Sequence, residues 1–233
     1  MRAVWIVECG RMPFAEAWAL QRALVSARQA RATEDAVLLV EHPPVITIGR
    51  GGQADHILVP REVLATRGIE LFAIERGGDV TYHGPGQLVG YPILDLRAID
   101  EDVVRYVRLL EATLIEALGV FGVEAARLRG SPGVWVGDAK IAAVGIAVKR
   151  KVTMHGFALN VAPDLAHFAL INACGLGKPV TSLADVLRRP VSVAEVRPAV
   201  VEAFADVFEV RPETVTLAAL RAVVAGSTAA GPA

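Results

Sequence analysis

The sequence predicts a single α/β domain, and three observations lead to that prediction. Short apolar and β-branched runs at residues 36–40 (AVLLV) and 45–48 (VITI) have the length of strands. Residues 102–121 repeat apolar positions every three or four residues, as an amphipathic helix does. The 233 residues, 53% of them hydrophobic and 21% charged, can fill one large domain with a sizeable core. We expect that domain to span residues 1–225, followed by a disordered or frayed tail, GSTAAGPA, at 226–233.

Two further helices are predicted from the same spacing of apolar residues. Residues 14–31 carry apolar side chains at helical intervals, with Arg and Gln between them. The other helix runs from about residue 192 to 208, where Ser192 and Glu195 have the spacing of a capping box. Pro198 fits poorly inside a helix that begins so early, because proline has no backbone N–H to donate.

The second half of the chain predicts strands separated by turns. Gly137 and Asp138 lie between two apolar segments and are compatible with a tight hairpin. A third apolar segment follows the basic turn at residues 149–151 (KRK). Residues 139–148 are apolar at both alternate phases except for Lys140, which predicts a strand covered on both faces.

Composition excludes several classes of function. A net charge of −1 does not indicate nucleic acid or an anionic membrane as the main partner. The N-terminal apolar run is broken by Glu8 and Arg11, so neither a signal peptide nor a membrane span is predicted. Two cysteines, Cys9 and Cys174, are too few for a disulfide framework or a zinc cluster. We therefore expect a cytoplasmic protein.

A glycine-rich polar segment is the first candidate for a binding site. Residues 76–87 read RGGDVTYHGPGQ. Glycines let backbone N–H groups approach a ligand, and the polar side chains between them can orient it. The segment matches neither the dinucleotide fingerprint nor the P-loop. On composition alone, a turn-rich hairpin whose polar groups bond to one another is the alternative.

Cys174, in the stretch INACGLG, is either a nucleophile or an inert buried thiol. A catalytic thiol needs a base nearby, and His83, His155 and Lys140 are the candidates. Histidine is the usual partner of a cysteine. Lys140 is unusual, however, because the chain has four lysines against 20 arginines and burial lowers the pKa of an ammonium group. It could equally be a strand-end lysine that reaches solvent. Cys9, in VWIVECG, suits an inert packing role.

Several stretches together resemble one family. They are RGGDVTYHGPGQLVGYPI at 76–93, GVWVGDAKIAAVGI at 133–146 with HGFALNV at 155–161, and NACGL at 172–176. With EHPPVITIG at 41–49, they are similar to the lipoyl(octanoyl) transferases, the octanoyl-[acyl-carrier-protein]:protein N-octanoyltransferase family of bacteria. The likeness covers about residues 5–210. It implies a mixed β-sheet flanked by helices, as in the catalytic domains of biotin protein ligase and lipoate protein ligase.

The resemblance also implies the site residues. In that family a Cys-Lys dyad carries the reaction, and Cys174 and Lys140 fall on its positions, in preference to a histidine base. No ATP, other cofactor or metal is implied, because the thioester donor is already activated. The implied substrate-binding residues are Arg76, Gly77, Gly78, Asp79, Val80, Thr81, Tyr82, His83, Ala143, Val144, Gly145, Gly156, Phe157 and Ala158.

The implied reaction transfers an octanoyl group from octanoyl-acyl carrier protein to a lysine of lipoyl domains, through a Cys174 thioester. The acceptors would be the 2-oxoacid dehydrogenase E2 subunits and the glycine cleavage H protein, in the first step of endogenous protein lipoylation. We expect a monomer, since two large protein substrates must reach one site. The basic turn 149–151 and the pair Arg188 and Arg189 are candidates for docking the carrier, or are simply solvated turns.

Two alternatives stay open at this point. An ATP-dependent lipoate or biotin protein ligase would share the fold and the glycine-rich segment, but it has no need of an acyl-accepting cysteine. A non-catalytic acyl-chain-binding or carrier-binding module would have an inert thiol. A pairing of Lys140 with Cys174 argues against such a module, provided that the two side chains meet in space.

Overall fold

A computed structural model describes residues 1–172 and 178–229, and helices separate groups of one to four strands along the chain. The strands are β1 (Arg2–Arg11), β2 (Asp35–Glu41), β3 (Val45–Ile48), β4 (Glu70–Ala73), β5 (Val80–His83), β6 (Gln87–Ile93), β7 (Ala126–Leu128), β8 (Ser131–Val136), β9 (Ala139–Lys149), β10 (Val152–Asn160) and β11 (Val210–Thr214). The helices are α1 (Phe14–Gln29), α2 (Arg61–Thr66), α3 (Val103–Gly119), α4 (Leu183–Leu187), α5 (Val193–Val207) and α6 (Leu217–Ala229).

Within the described residues, eight strands form one large sheet and three form a smaller one. The order is β11-β1-β2-β6-β10-β9-β8-β7 in the large sheet and β4-β3-β5 in the small sheet. β1 runs parallel to β2 and β11, whereas each pair from β2-β6 through to β8-β7 is antiparallel. The predicted mixed sheet is therefore confirmed.

Helices cover both faces of the large sheet. On one face, α3 and α5 bury a cluster that includes Tyr106, Leu110 and Phe204. On the other face, α1 packs on β10 and β6 and buries Leu20 and Leu24. Apolar side chains at helical spacing thus face the sheet on both sides, which confirms the predicted arrangement of a sheet flanked by helices.

Side chains that accept hydrogen bonds from the first backbone N–H groups determine where α3 and α5 begin. The Asp102 carboxylate accepts from Val104 N at 2.8 Å and from Arg105 N at 3.0 Å, so α3 begins where the sequence predicts. Ser192 Oγ accepts from Glu195 N at 3.2 Å at the start of α5. Pro198 lies inside α5 despite its poor fit there.

Two tight turns connect the strands β8, β9 and β10. Val136 pairs with Ala139 across the predicted hairpin turn at residues 137–138. Lys149 pairs with Val152, and the two residues between them have φ values of 47° and 72°. Two residues at positive φ make a turn whose twist matches that of the flanking strands.

Helix α6 corrects one prediction about the C-terminus. It continues through residue 229, so residues 226–229 are helical rather than part of a frayed tail. Leu220 and Val224 are buried against the side of the sheet that α1 covers, and this packing favours the helix over disorder. Residues 230–233 lie outside the described residues. In the parts of the chain that the structure describes, no helix is both long and apolar enough to cross a membrane.

Candidate active site

A cavity of about 590 Å³ lies where the loop after β4 meets β9 and β10. This volume falls within the roughly 300–1,000 Å³ of small-molecule sites. β9 and β10 are neighbours in the sheet, with Ala143 opposite Ala158, so the segments at 143–146 and 156–158 form one continuous wall. Gly77 N donates to Ile146 O at 2.8 Å and holds the glycine-rich loop against that wall.

The structure brings nearly all the predicted site residues to this cavity. Each of these residues contributes to the wall of the cavity. Whether they bind substrate stays a prediction. The predicted residues in the wall are Arg76, Gly77, Gly78, Asp79, Val80, Thr81, His83, Lys140, Ala143, Val144, Gly145, Gly156, Phe157 and Ala158.

Among the predicted site residues that the structure describes, Tyr82 is the one that does not line the cavity. Successive side chains of a strand point to opposite faces, so Tyr82 points away from the face on which Thr81 and His83 lie. Its ring packs with Phe168 at a centroid distance of 5.4 Å, and its hydroxyl is 2.8 Å from His167 Nδ1. Tyr82 therefore packs behind the cavity wall, against the segment of residues 165–170, whose Phe168 does line the cavity.

Arg76 supplies a positive charge that is fixed in position. Its side chain is buried, and Nη2 donates to Thr47 O at 2.7 Å and to Thr47 Oγ1 at 2.9 Å. A Cβ at Gly145 would lie 3.2 Å from Arg76 Cδ, so the glycine lets the arginine side chain lie close against β9. A guanidinium cannot lose its proton near neutral pH, so this wall of the cavity stays positive.

Asp79 fixes the glycine-rich loop instead of reaching freely into the cavity. One carboxylate oxygen accepts from Val80 N at 2.7 Å, and the other lies 2.6 Å from His56 Nδ1. The hydrogen bond to Asp79 raises the pKa of His56 above its ordinary value. Both oxygens of the carboxylate are thus engaged in holding the loop.

Lys140 lies at the start of β9, where three strand segments meet. Its backbone N–H donates to Pro179 O at 2.9 Å, and its carbonyl accepts from Thr181 N at 3.0 Å. The Lys140 ammonium nitrogen lies 4.8 Å from the centroid of the Trp135 ring, and the Lys178 nitrogen lies 5.1 Å from the same centroid. An indole face attracts a cation at such distances, so the ring restricts the position of Lys140.

The predicted nucleophile, Cys174, lies outside the described residues. Its pairing with Lys140 therefore stays a prediction. The described residues on either side are anchored beside the cavity: Asn172 N donates to His56 O at 2.8 Å, and Val180, which lines the cavity, pairs with Lys140.

The buried histidines of the site are uncharged at neutral pH. Burial lowers the pKa of His83 to about 3 and that of His155 to about 4, and both line the cavity. His42 behaves alike, with a pKa of about 4. Its Nδ1 lies 2.7 Å from Met12 O and its Nε2 2.7 Å from the Tyr91 hydroxyl. Proton uptake by these rings is therefore unfavourable in the free protein.

Sequence reasoning missed several residues of the cavity. Asn160, Phe168 and Val180 line it as well, and the Trp135 ring lies next to the Lys140 ammonium. Gln87, the last residue of the predicted glycine-rich segment, also lines the cavity. Asn160 could have been found from the sequence, because it is a polar residue at the end of the apolar stretch in HGFALN. Lys140 is likewise a polar residue near one end of an apolar strand. Phe168 and Val180 could not have been found in this way, since nothing in their local pattern distinguishes them from core residues.

The other cysteine and the basic turns have local partners. Burial raises the pKa of Cys9 to about 12, in keeping with an inert packing role. In the predicted docking turns, Lys149 Nζ lies 2.9 Å from Glu75 Oε1, Lys151 pairs with Glu101, and Arg189 Nη2 lies 2.8 Å from Glu195 Oε1. These ion pairs offset part of the positive charge that docking would use.

Across residues 1–172 and 178–229, no group of three or more acidic, histidine or cysteine side chains could hold a metal ion.

Solved structures define the class of protein to which this fold belongs. A bipartite lipoate protein ligase from Thermoplasma acidophilum superposes with a TM-score of 0.73 over 97% of this chain and 92% of that one, at 19% identity. Biotin protein ligase from Aquifex aeolicus superposes with a TM-score of 0.52 over 90% and 70%, at 12% identity. The fold is that of the lipoate and biotin protein ligases.

Sequence comparison then gives the family. Residues 13–205 match the lipoyl protein ligase A/B catalytic domain. The octanoyltransferase of Gloeobacter violaceus is 53% identical over 222 residues, which are 95% of this chain and 97% of that protein. The chain belongs to the octanoyltransferases of this family, and it is an acyltransferase. A non-catalytic module is thereby excluded. The lipoate ligases share the fold and the family model, and the 53% identity to an octanoyltransferase favours the transferase over the ligase alternative.

Proposed function

We propose that this enzyme transfers an octanoyl group from octanoyl-acyl carrier protein to a lysine of lipoyl domains, through a thioester on Cys174. The acceptors are the 2-oxoacid dehydrogenase E2 subunits and the glycine cleavage H protein, in the cytoplasm, and the enzyme acts as a monomer without ATP or a metal. One observation carries the proposal: Lys140 lies in the wall of a largely apolar cavity, in a chain that is 53% identical to an octanoyltransferase.

The cavity suits a saturated acyl chain. Its wall includes Phe14, Ile74, Val89 and Phe157, which offer an apolar surface to a hydrocarbon chain. Burial of each methylene contributes about 0.8 kcal/mol, so a chain that fills the space binds several kcal/mol more tightly than a short one. A cavity of fixed depth can therefore select for chain length.

The first half-reaction loads the enzyme. Lys140 accepts the proton of the Cys174 thiol, and the resulting thiolate attacks the carbonyl carbon of the carrier thioester. The bond from that carbon to the carrier sulfur breaks, and Lys140 returns the proton to the departing thiol. The products are octanoyl-Cys174 and the free carrier.

The second half-reaction forms the amide. The ε-amine of the lipoyl-domain lysine attacks the acyl carbon, and the bond from carbon to the Cys174 sulfur breaks. The proton released from nitrogen passes through Lys140 to that sulfur, which restores the thiol. Because the carrier leaves before the acceptor binds, we expect ping-pong kinetics.

The test is to incubate the protein with octanoyl-acyl carrier protein in the absence of ATP and to measure its intact mass. We expect one octanoyl adduct, which peptide mapping assigns to Cys174 and which hydroxylamine removes. Cys174→Ser should carry no hydroxylamine-sensitive adduct. A wild-type protein that stays unmodified, or a variant that is modified to the same extent as the wild type, would falsify the thioester intermediate.

Lys140→Ala tests proton transfer in the same assay. We expect acyl transfer to fall by about a hundredfold or more, the usual contribution of general acid–base catalysis. Lys178→Ala is the matched control, since Lys178 contacts the same Trp135 ring but does not line the cavity. It should retain activity within a fewfold of wild type. If both variants lose the same amount of acyl-transfer activity, Lys140 contributes only its positive charge and does not transfer the proton.

A further inference from the structure

Three buried polar side chains form a hydrogen-bonded row in the cavity wall. His83, Gln87 and Asn160 are 8%, 1% and 4% exposed, and all three line the cavity. His83 Nδ1 lies 3.1 Å from Gln87 Oε1, and Gln87 Nε2 lies 2.9 Å from Asn160 Oδ1. The row crosses from β5 through β6 to β10.

Backbone carbonyls fix the direction of every hydrogen bond in this row. Gln87 Nε2 donates to Tyr82 O at 3.1 Å, and Asn160 Nδ2 donates to Thr181 O at 3.0 Å. A carbonyl oxygen can only accept, so each side-chain amide has one possible orientation. Gln87 Oε1 is therefore the acceptor that faces His83, and His83 Nδ1 must carry the hydrogen.

Because Nδ1 carries the hydrogen, the neutral His83 ring can present only a hydrogen-bond acceptor, Nε2, to the cavity. Since burial lowers the pKa of His83 to about 3, the ring stays neutral and Nε2 keeps its lone pair. Among the described residues, the hydrogen bond of the His83 side chain is made through Nδ1, to Gln87, and not through Nε2. His83 thus offers a hydrogen-bond acceptor to a ligand, and it can neither donate to an oxyanion nor readily take up a proton.

The row ends next to Lys140. Thr181, which accepts from Asn160, donates its own N–H to Lys140 O at 3.0 Å. In the sheet, β10 separates β6 from β9, so Gln87 and the start of β9 are about two strand spacings, roughly 10 Å, apart. The His83 acceptor and the Lys140 ammonium therefore lie toward opposite ends of this row, in the wall of one cavity.

We infer that His83 accepts a hydrogen bond from the attacking lysine amine and orients it toward the acyl carbon. This inference rests on the proposed function. The acyl chain and its thioester carbonyl have no hydrogen-bond donors, so they offer nothing to Nε2. The amine has N–H groups, and an acceptor behind it turns the nitrogen lone pair toward the carbonyl carbon. Lys140 still takes the proton, and His83 acts only by positioning the nucleophile.

The test separates the two half-reactions. Enzyme variants are mixed with octanoyl-acyl carrier protein and the formation of the acyl-enzyme is timed by intact mass; an isolated lipoyl domain is then added and amide formation is timed. His83→Met removes the acceptor. We expect it to form acyl-enzyme within about twofold of the wild-type rate and to slow amide formation about threefold to tenfold, the value of one hydrogen bond. His83→Gln, which keeps an acceptor oxygen, should recover part of the loss.

Each result has a distinct meaning. Equal slowing of both half-reactions would assign His83 to the carrier arm or to the fold and would overturn the inference. Unchanged amide formation in His83→Met, or a His83→Gln variant no faster than His83→Met, would overturn it too. If wild-type protein forms no acyl-enzyme, the proposed function itself fails. If His83→Met does not fold, the comparison of wild type with His83→Gln decides, because that variant is expected to slow only the second step.

Discussion

Trp135 connects the predicted catalytic lysine to the fold. Trp135 is buried and is paired with Lys140 across β8 and β9. The centroid of its ring lies 4.8 Å from the Lys140 ammonium nitrogen. A cation over an indole is stabilised by about 0.5–2 kcal/mol, and less over a phenyl ring. We expect Trp135→Phe to lower kcat for octanoyl transfer roughly twofold to tenfold and to leave KM for the carrier unchanged, as steady-state kinetics would measure.

A second tryptophan provides the control for this substitution. Trp5 lies on β1, next to β11 at the far edge of the sheet, and it does not line the cavity. Trp5→Phe should therefore leave kcat unchanged. An equal loss of kcat in both variants, or none in Trp135→Phe, would argue against the ring as a support for Lys140.

Individual residues differ in how far the sequence alone could predict their place. Lys140 stood out because a lysine is unusual in an apolar strand, and the cavity wall contains it. Tyr82 belongs to the same glycine-rich segment as His83, but the alternation of side chains along β5 turns it to the other face. Neighbours in sequence can thus be assigned together to a site that only some of them reach.

At the scale of elements, the pairing of β6 with β10 depends on two glycines. A Cβ at Gly156 would lie 2.2 Å from Gly90 O and 2.6 Å from Pro92 Cδ. Backbone atoms of a central strand cannot move aside, so one strand must shift. We expect Gly156→Ala to lower the free energy of unfolding by about 1–3 kcal/mol or more, the cost of overpacking, as measured by urea denaturation.

Gly119→Ala is the matched control for the crowded glycine. Gly119 is the last residue of α3, and a Cβ there meets no atom within 4 Å. The same chemical change should be neutral or should raise the free energy of unfolding by a few tenths to about 1 kcal/mol, since alanine favours the helix. A Gly156→Ala variant as stable as Gly119→Ala would show that the strand pair adapts.

The elements that could be predicted are those with a complete local signal. α1, α3 and α5 carry apolar residues at helical spacing, and α3 and α5 also carry capping side chains. β7 and β11 have only three and five residues, too few for a clear alternating pattern. β7 pairs with the next strand along the chain, whereas the partner of β11 is β1, which is distant in sequence. α6 was predicted in part as a tail because its glycine and small residues lack a strong pattern, and packing on α1 supplies the missing stability.

At the scale of the whole molecule, the order of the strands was not accessible to sequence patterns. β11 pairs with β1 although nearly the whole chain lies between them, and β10 enters the sheet between β6 and β9. Local patterns do not encode such distant pairings, so the resemblance to a family supplied the architecture. The cavity follows from the same pairings, because its wall combines segments that only the complete sheet brings together.

Three buried histidines make the stability of the whole molecule depend on pH. Burial lowers the pKa of His42 to about 4, of His83 to about 3 and of His155 to about 4, whereas an unfolded histidine titrates near 6.5. Between these values the unfolded chain binds more protons than the folded one, so their contribution is complete above about pH 6.5 and is lost as pH falls toward 4. We expect the free energy of unfolding, measured with urea, to fall by several kcal/mol between pH 7.5 and pH 5.

Single substitutions test the assignment of that loss to the buried rings. His42→Gln removes one of the three titrations, so its free energy of unfolding should fall less steeply between pH 7.5 and pH 5 than that of wild type, whatever its value at pH 7.5. His56 has the opposite sign, because the Asp79 hydrogen bond raises its pKa and its contribution is lost as pH rises. His56→Gln should therefore leave the loss in acid as steep as in wild type or steeper. A flattening in His56→Gln together with an unchanged slope in His42→Gln would trace the acid sensitivity to surface groups and not to the histidines packed around the cavity.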